Sequence, residues 1–200
     1  MLKEEKKMKK LLYVVLIGTV IAGLGFMVKD RVFSQEGVTK PSDALEVLRD
    51  KSLRTTEPRR VIAAIEEVTA RVASTESKSI PSEVLSALVD LLDFERPDKG
   101  TIEGYDITEG QKVYPVMGAL VYMSYMRKPV LPALVDVIEN EDTKSVKSQN
   151  ALKVIQEIVG NGTLTFNFLL VQSGNAKSEV GEERILSAAR SVLKGENRRE

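Results

Sequence analysis

The chain has no cysteine, no histidine and no tryptophan among its 200 residues. The first two absences exclude zinc centres, thiol nucleophiles, histidine-based triads and c-type haem attachment. Any catalysis has to rest on carboxylates, lysine, tyrosine or serine. Without thiols the chain suits oxidising and reducing compartments equally. A surplus of charge of one sign is missing as well, because 29 Lys and Arg balance 29 Asp and Glu. Beyond residue 34 the balance is 22 basic to 26 acidic. Neutralisation of phosphates dominates nucleic-acid affinity, so this mildly acidic remainder argues against a DNA or RNA partner. At 42% hydrophobic and 29% charged, the composition is too polar for a multispanning membrane protein and suits one soluble domain with an appendage.

That appendage is N-terminal. Residues 1–10 are basic, with Lys3, Lys6, Lys7, Lys9 and Lys10 against Glu4 and Glu5, and residues 11–27 form an uncharged apolar run. As a helix this run spans about 25 Å, enough to cross a bilayer core with slight adjustment at its ends. The lysine cluster stays cytoplasmic, which predicts a single-pass anchor with the C-terminal domain outside the cytoplasm. A cleavable signal peptide is the alternative, with Val32-Phe-Ser34 as the site before Gln35 and a secreted or periplasmic product. Lys29, Asp30 and Arg31 interrupt the region that precedes such a site and favour the retained anchor. A linker over 28–40, a helical domain over 41–194 and a polar tail over 195–200 complete the predicted organisation.

Within the domain, Val130-Leu-Pro-Ala-Leu-Val-Asp-Val-Ile-Glu139 repeats Val84-Leu-Ser-Ala-Leu-Val-Asp-Leu-Leu-Asp93 at an offset of 46 residues. A weaker copy opens at Pro41-Ser-Asp-Ala-Leu45, answering Pro81-Ser-Glu-Val-Leu85. Repeats of this length are the signature of helix pairs that bury their apolar faces by stacking on neighbours. The first predicted helix ends near Leu53, and Thr55-Thr56-Glu57-Pro58 supplies a cap and a first-turn proline for the next. In that helix Val61, Ile65, Val68 and Val72 share one face. Ser74 to Ser79 is a polar turn, and Val84, Leu85, Leu88, Leu91 and Leu92 of the second unit point inward.

From Phe94 to Gln111 the periodicity gives way to Pro97, three glycines and scattered carboxylates. Its acidic residues lack the alternation of a calcium-binding loop, which makes the stretch a solvated connector rather than an ion site. Lys112 to Met126 follows as an apolar helix, uncharged from Val113 and buried on most sides. Tyr114, Tyr122 and Tyr125 gather on one side of it around Gly118. With the adjoining Arg127 and Lys128 they form the candidate partner-binding surface, since tyrosine and arginine concentrate binding energy in interfaces. Packing of these tyrosines against neighbouring helices is the competing expectation, with Tyr125 the most exposed.

The third unit is predicted as a helix over 128–140, a turn at Glu141-Asp-Thr143, and a second helix over 144–159 that stops at Gly160-Asn161-Gly162. Asn161-Gly-Thr163 also matches a glycosylation acceptor, but the helix stop explains it. Leu131-Pro-Ala-Leu134, Asn140-Glu-Asp142, Val146-Lys147 and Ala151-Leu152 resemble the HEAT repeat family. The resemblance covers about 30 residues well and the unit from Pro81 along its first helix only. It implies an all-α fold, a short right-handed solenoid of helix pairs, with an irregular helical bundle as the alternative. It also implies binding of other proteins, often along the surface formed by the second helices. Leu164 to Val171 fits a strand or a short helix, and the amphipathic helix over 182–194 that follows favours the helix.

These features predict an exported interaction module or scaffold that binds another protein, with no catalysis, cofactor or metal. A carboxylate-based hydrolase built on Glu66 and Glu67, or on the acidic loop, is the alternative from another class. Neighbouring carboxylates on a helix point in different directions, which weighs against it.

Overall fold

A computed structural model describes residues 41–97, 113–160 and 162–196. The anchor or signal segment, the linker, most of the acidic loop, Asn161 and residues 197–200 lie outside the described residues, and the predicted tail begins later than 195 because the last helix runs to Glu196. The described residues form nine helices and no strand, so the fold is all-α.

Helix α1 (Pro41–Arg49) is shorter than its apolar pattern predicts. The Asp50 carboxylate accepts from the backbone N–H and the hydroxyl of Ser52 at 2.9 and 2.6 Å, a local turn that competes with further helix. A single turn, α2 (Leu53–Thr56), follows. Helix α3 (Pro58–Ser74) opens with its proline in the first turn, but the threonine cap expected there is not made. Thr56 instead donates its hydroxyl back to the Ser52 carbonyl at 3.1 Å. As the spacing predicts, Val61, Ile65, Val68 and Val72 of α3 are buried.

Helix α4 (Ser82–Val89) gives way to tight turns that carry Leu91, Leu92 and Phe94 into the core. The loop therefore begins with a buried anchor at Phe94. Helix α5 runs from Pro115 to Tyr125 and is buried along Val116, Met117, Ala119, Leu120, Val121 and Met123. It starts at Pro115 rather than Lys112, leaving Tyr114 in extended backbone before it. Helix α6 (Leu131–Asn140) starts three residues later than its repeat pattern predicts. Lys128 precedes Pro129, a position that disfavours helical backbone. Helix α7 (Val146–Val159) is capped by the Ser145 hydroxyl, which accepts from the Ser148 N–H at 3.1 Å. It ends at Gly160, whose φ of 118° suits glycine alone. The ambiguous stretch after it is helical, as α8 (Gly162–Ser173), and α9 (Glu179–Glu196) follows.

Neighbour relations sort these helices into two rows. Helices α1, α4, α6 and α9 pack in succession, and so do α3, α5, α7 and α8. Cross-packing pairs α1 with α3, α4 with α5, α6 with α7 and α9 with α8. In the last pair the order is reversed, because α9 supplies the packing on α6 and α8 the packing on α7. Gly181 permits the close approach of α9. A Cβ there would lie 2.4 Å from Cγ of Glu139, a side chain buried at the end of α6. The Glu139 carboxylate accepts the Lys177 N–H at 2.6 Å, and Arg184 donates to the Glu139 and Asn140 carbonyls.

Leu88 and Leu134 occupy matching repeat positions, and both are fully buried. Truncating either to alanine should cost about 2 to 5 kcal/mol through lost transfer energy and the cavity left behind. Chemical denaturation checks this, and an unchanged midpoint for Leu134→Ala would contradict the packing of α6.

Candidate functional site

The structure separates the five residues singled out as a partner surface. Tyr114 stands at the N-terminal end of α5, half-buried, and donates its hydroxyl to Oε1 of Glu95 at 2.8 Å. Burial, and then this contact with a carboxylate, push its phenol above the ordinary tyrosine value. The other four residues sit at or beyond the opposite end, about 15 Å along the helix axis at 1.5 Å per residue. Tyr122 is half-buried there, while Tyr125 is 67% exposed. Met126, the last residue of the predicted apolar helix, is exposed beside Tyr125 and joins the surface.

Arg127 holds the feature that the sequence does not show. Its φ is 60°, the one positive value among the described non-glycine residues. The Arg127 N–H donates to the Ser124 carbonyl at 2.8 Å and the Lys128 N–H to the Met123 carbonyl at 3.0 Å. Together these bonds make a Schellman closure of α5, whose left-handed position ordinarily takes glycine. Here an exposed arginine occupies it.

Lys128 turns the other way. It is only 6% exposed, and its ammonium donates to the carbonyl oxygens of Thr75, at 2.9 Å, and Ser77. This lysine ties the turn between α3 and α4 to the end of α5 and offers no charge to a partner. Tyr122, Tyr125, Met126 and Arg127 are therefore the part of the candidate surface that the fold gathers at one place.

A second feature lies on the other row. An open groove between α4 and α6 has Leu85, Val89 and Val137 among its lining, with Asp136, Glu141 and Lys147 as charged neighbours. Beside it Asp90 gathers cations from two other units. Arg54 Nη2 lies 2.6 Å from Asp90 Oδ2, and Lys147 Nζ lies 2.7 Å from Oδ1. Burial by itself would raise the Asp90 carboxyl, but the hydrogen bonds from Lys147 and Arg54 outweigh it and hold the group below the usual carboxylate range. The equivalent residue one repeat later, Asp136, pairs with Lys177 at 2.6 Å on the surface.

The carboxylates considered for catalysis do not converge. Glu67 pairs with Arg71 at 2.5 Å. Burial raises the Glu66 carboxyl, and the charge of Arg96 opposes the rise. Among the described residues no group of three or more acidic side chains is placed to hold a metal ion. Nor is any single described helix long and apolar enough to cross a membrane.

Replacing Asp90 with asparagine leaves two largely buried cations facing each other. The expected loss is about 1 to 2 kcal/mol at pH 7, reduced from the buried-pair range because the Asp90 side chain is 39% exposed. A carboxyl held low in the folded state contributes stability above its unfolded value, about 3.9, and loses it as pH falls through the folded value. The gap between wild type and Asp90→Asn should thus be full at neutral pH and close as pH falls below about 4, which denaturation across pH measures. No family model, curated protein or solved structure matches the chain.

Proposed function

We propose that this protein is an exported, membrane-anchored helical-repeat module that binds another protein through the end of α5 and performs no catalysis. Residues 11–27 serve as the anchor in this reading, with the basic segment in the cytoplasm and the helical domain on the far side. The domain is a short HEAT-like solenoid. Two succeeding rows of helices, the matching positions of Leu88 and Leu134, and the paired aspartates Asp90 and Asp136 support that architecture.

The observation that carries the binding role is Arg127. A non-glycine residue in the left-handed region costs about 1 to 2 kcal/mol, and strained positions cluster at functional sites. Glycine would close α5 without strain. Retaining arginine there places a guanidinium at the apex of a knuckle beside Tyr125 and Met126. Tyrosine and arginine side by side on a rigid, exposed turn are the residue types that anchor protein interfaces. The partner is a protein with an acidic or aromatic feature that meets the guanidinium.

Arg127→Gly separates binding from folding. Stability should rise by about 0.5 to 1 kcal/mol, the relieved strain less the extra chain entropy of glycine. Photo-crosslinking from position 125 in the native membrane should yield a discrete protein adduct that Arg127→Gly depletes. A stabilised variant with undiminished crosslinking would exclude the knuckle as the binding site.

Topology is tested independently. Protease added to intact cells, or to spheroplasts where an outer membrane exists, should digest the chain beyond Gln35. A fully protected domain refutes export, and a mature N-terminus at Gln35 replaces the anchor with a cleaved signal.

A further inference from the structure

Three long stretches of this chain carry no charged residue. They are Leu11 to Val28, Val113 to Met126 and Ile158 to Ala176, and the last is the longest, at 19 residues in a chain that is 29% charged. The first is the proposed anchor. The second is explained by burial, since α5 packs against α3, α4 and α7 and is covered along most of its length. Neither account serves the third. Helix α8 is the last member of its row and buries Thr165, Leu169 and Ser173 against α7 and α9. Its opposite side carries Thr163, Leu164, Asn167, Leu170 and Val171, all exposed, with Val171 at 65% and Leu170 at 47%. These positions fall within about 120° of arc at 100° per residue. An exposed arc of a surface helix is ordinarily where charges collect. Here it has none.

We infer that the outer arc of α8 rests on the surface of the bilayer that holds the anchor, an inference that depends on the anchor reading above. Size argues against a second copy as the occupant. A twelve-residue helix is about 18 Å long, so an arc about 10 Å wide offers roughly 200 Å², well below the roughly 800 Å² per partner of a stable protein interface. Tethering removes this difficulty for a lipid surface. The linker over 28–40 reaches at most about 45 Å, so the domain stays beside the membrane and a weak apolar contact is made within one molecule. Leucine and valine flanked by uncharged Thr163 and Asn167 suit the boundary between headgroups and acyl chains. The absence of lysine and arginine on the arc specifies that contact does not depend on anionic lipid.

The chain has no cysteine, which makes single-site labelling direct. Full-length Asn167→Cys and Glu83→Cys, the latter exposed on α4 of the other row, are labelled with an environment-sensitive fluorophore. Each is reconstituted into neutral phosphatidylcholine vesicles with and without nitroxide-bearing lipid. Label at 167 should emit at shorter wavelength and be quenched severalfold more strongly than label at 83, equally at low and high salt. Adding Leu170→Asp and Val171→Asp should abolish the difference while the chain remains in the vesicles. Retention in vesicles with equal quenching at both sites overturns the α8 contact and leaves the anchor standing. Loss of the chain on carbonate washing overturns the anchor and the contact with it. A blue shift at 167 that follows protein density rather than lipid nitroxide assigns the arc to a second copy and overturns the lipid contact.

Discussion

Three helix pairs of the described fold are tied together at the carboxylate of Asp90. Its two oxygens are divided between Arg54, which follows α1, and Lys147 on α7, so one side chain joins the first, second and third units. Lys147 is largely withdrawn from solvent and also lies 3.9 Å from Glu141. A pair of this kind contributes little when both partners are free in water, but here removing one would leave the others facing each other in a partly dehydrated place. Register is its main product. Apolar faces on stacked helices tolerate sliding, whereas a carboxylate that has to meet two cations fixes how far each unit is displaced along its neighbour.

The proposed binding knuckle and its support are divided between adjacent residues. Arg127 takes the strained backbone position and faces outward, while Lys128 is drawn inward by two carbonyl oxygens of the turn at 75–77. Because the lysine fixes the chain just beyond the helix, the turn cannot relax by swinging away, and the arginine remains presented. Rigidity of that kind lowers the entropy lost when a partner binds.

Much of the architecture is legible from residues alone. Repetition of the leucine motif locates Leu88 and Leu134 at equivalent buried places, proline marks the start of α3, and Gly160 marks the end of α7. What local pattern cannot convey is which neighbour a side chain meets. Lys128 looks like surface because nothing near it in the chain offers buried acceptors; its partners are 51 and 53 positions away. Tyr114 looks like part of an aromatic face until Pro115 excludes it from the helix and Glu95 takes its hydroxyl. Periodicity also gives no hint that α8 packs beside α7 and sends α9 back to α6.

The completion of α4 by a later part of the chain has a consequence for the order of events in time. The carbonyl of Leu92, in the turn that closes α4, accepts from the buried amide of Asn150, 58 positions onward, and the Lys147 that reaches Asp90 comes from the same helix. A polypeptide that emerges from its N-terminus therefore holds its second unit unfinished until α7 has followed. In the folded chain the second and third helix pairs are thus joined by the same two contacts, Leu92 with Asn150 and Asp90 with Lys147.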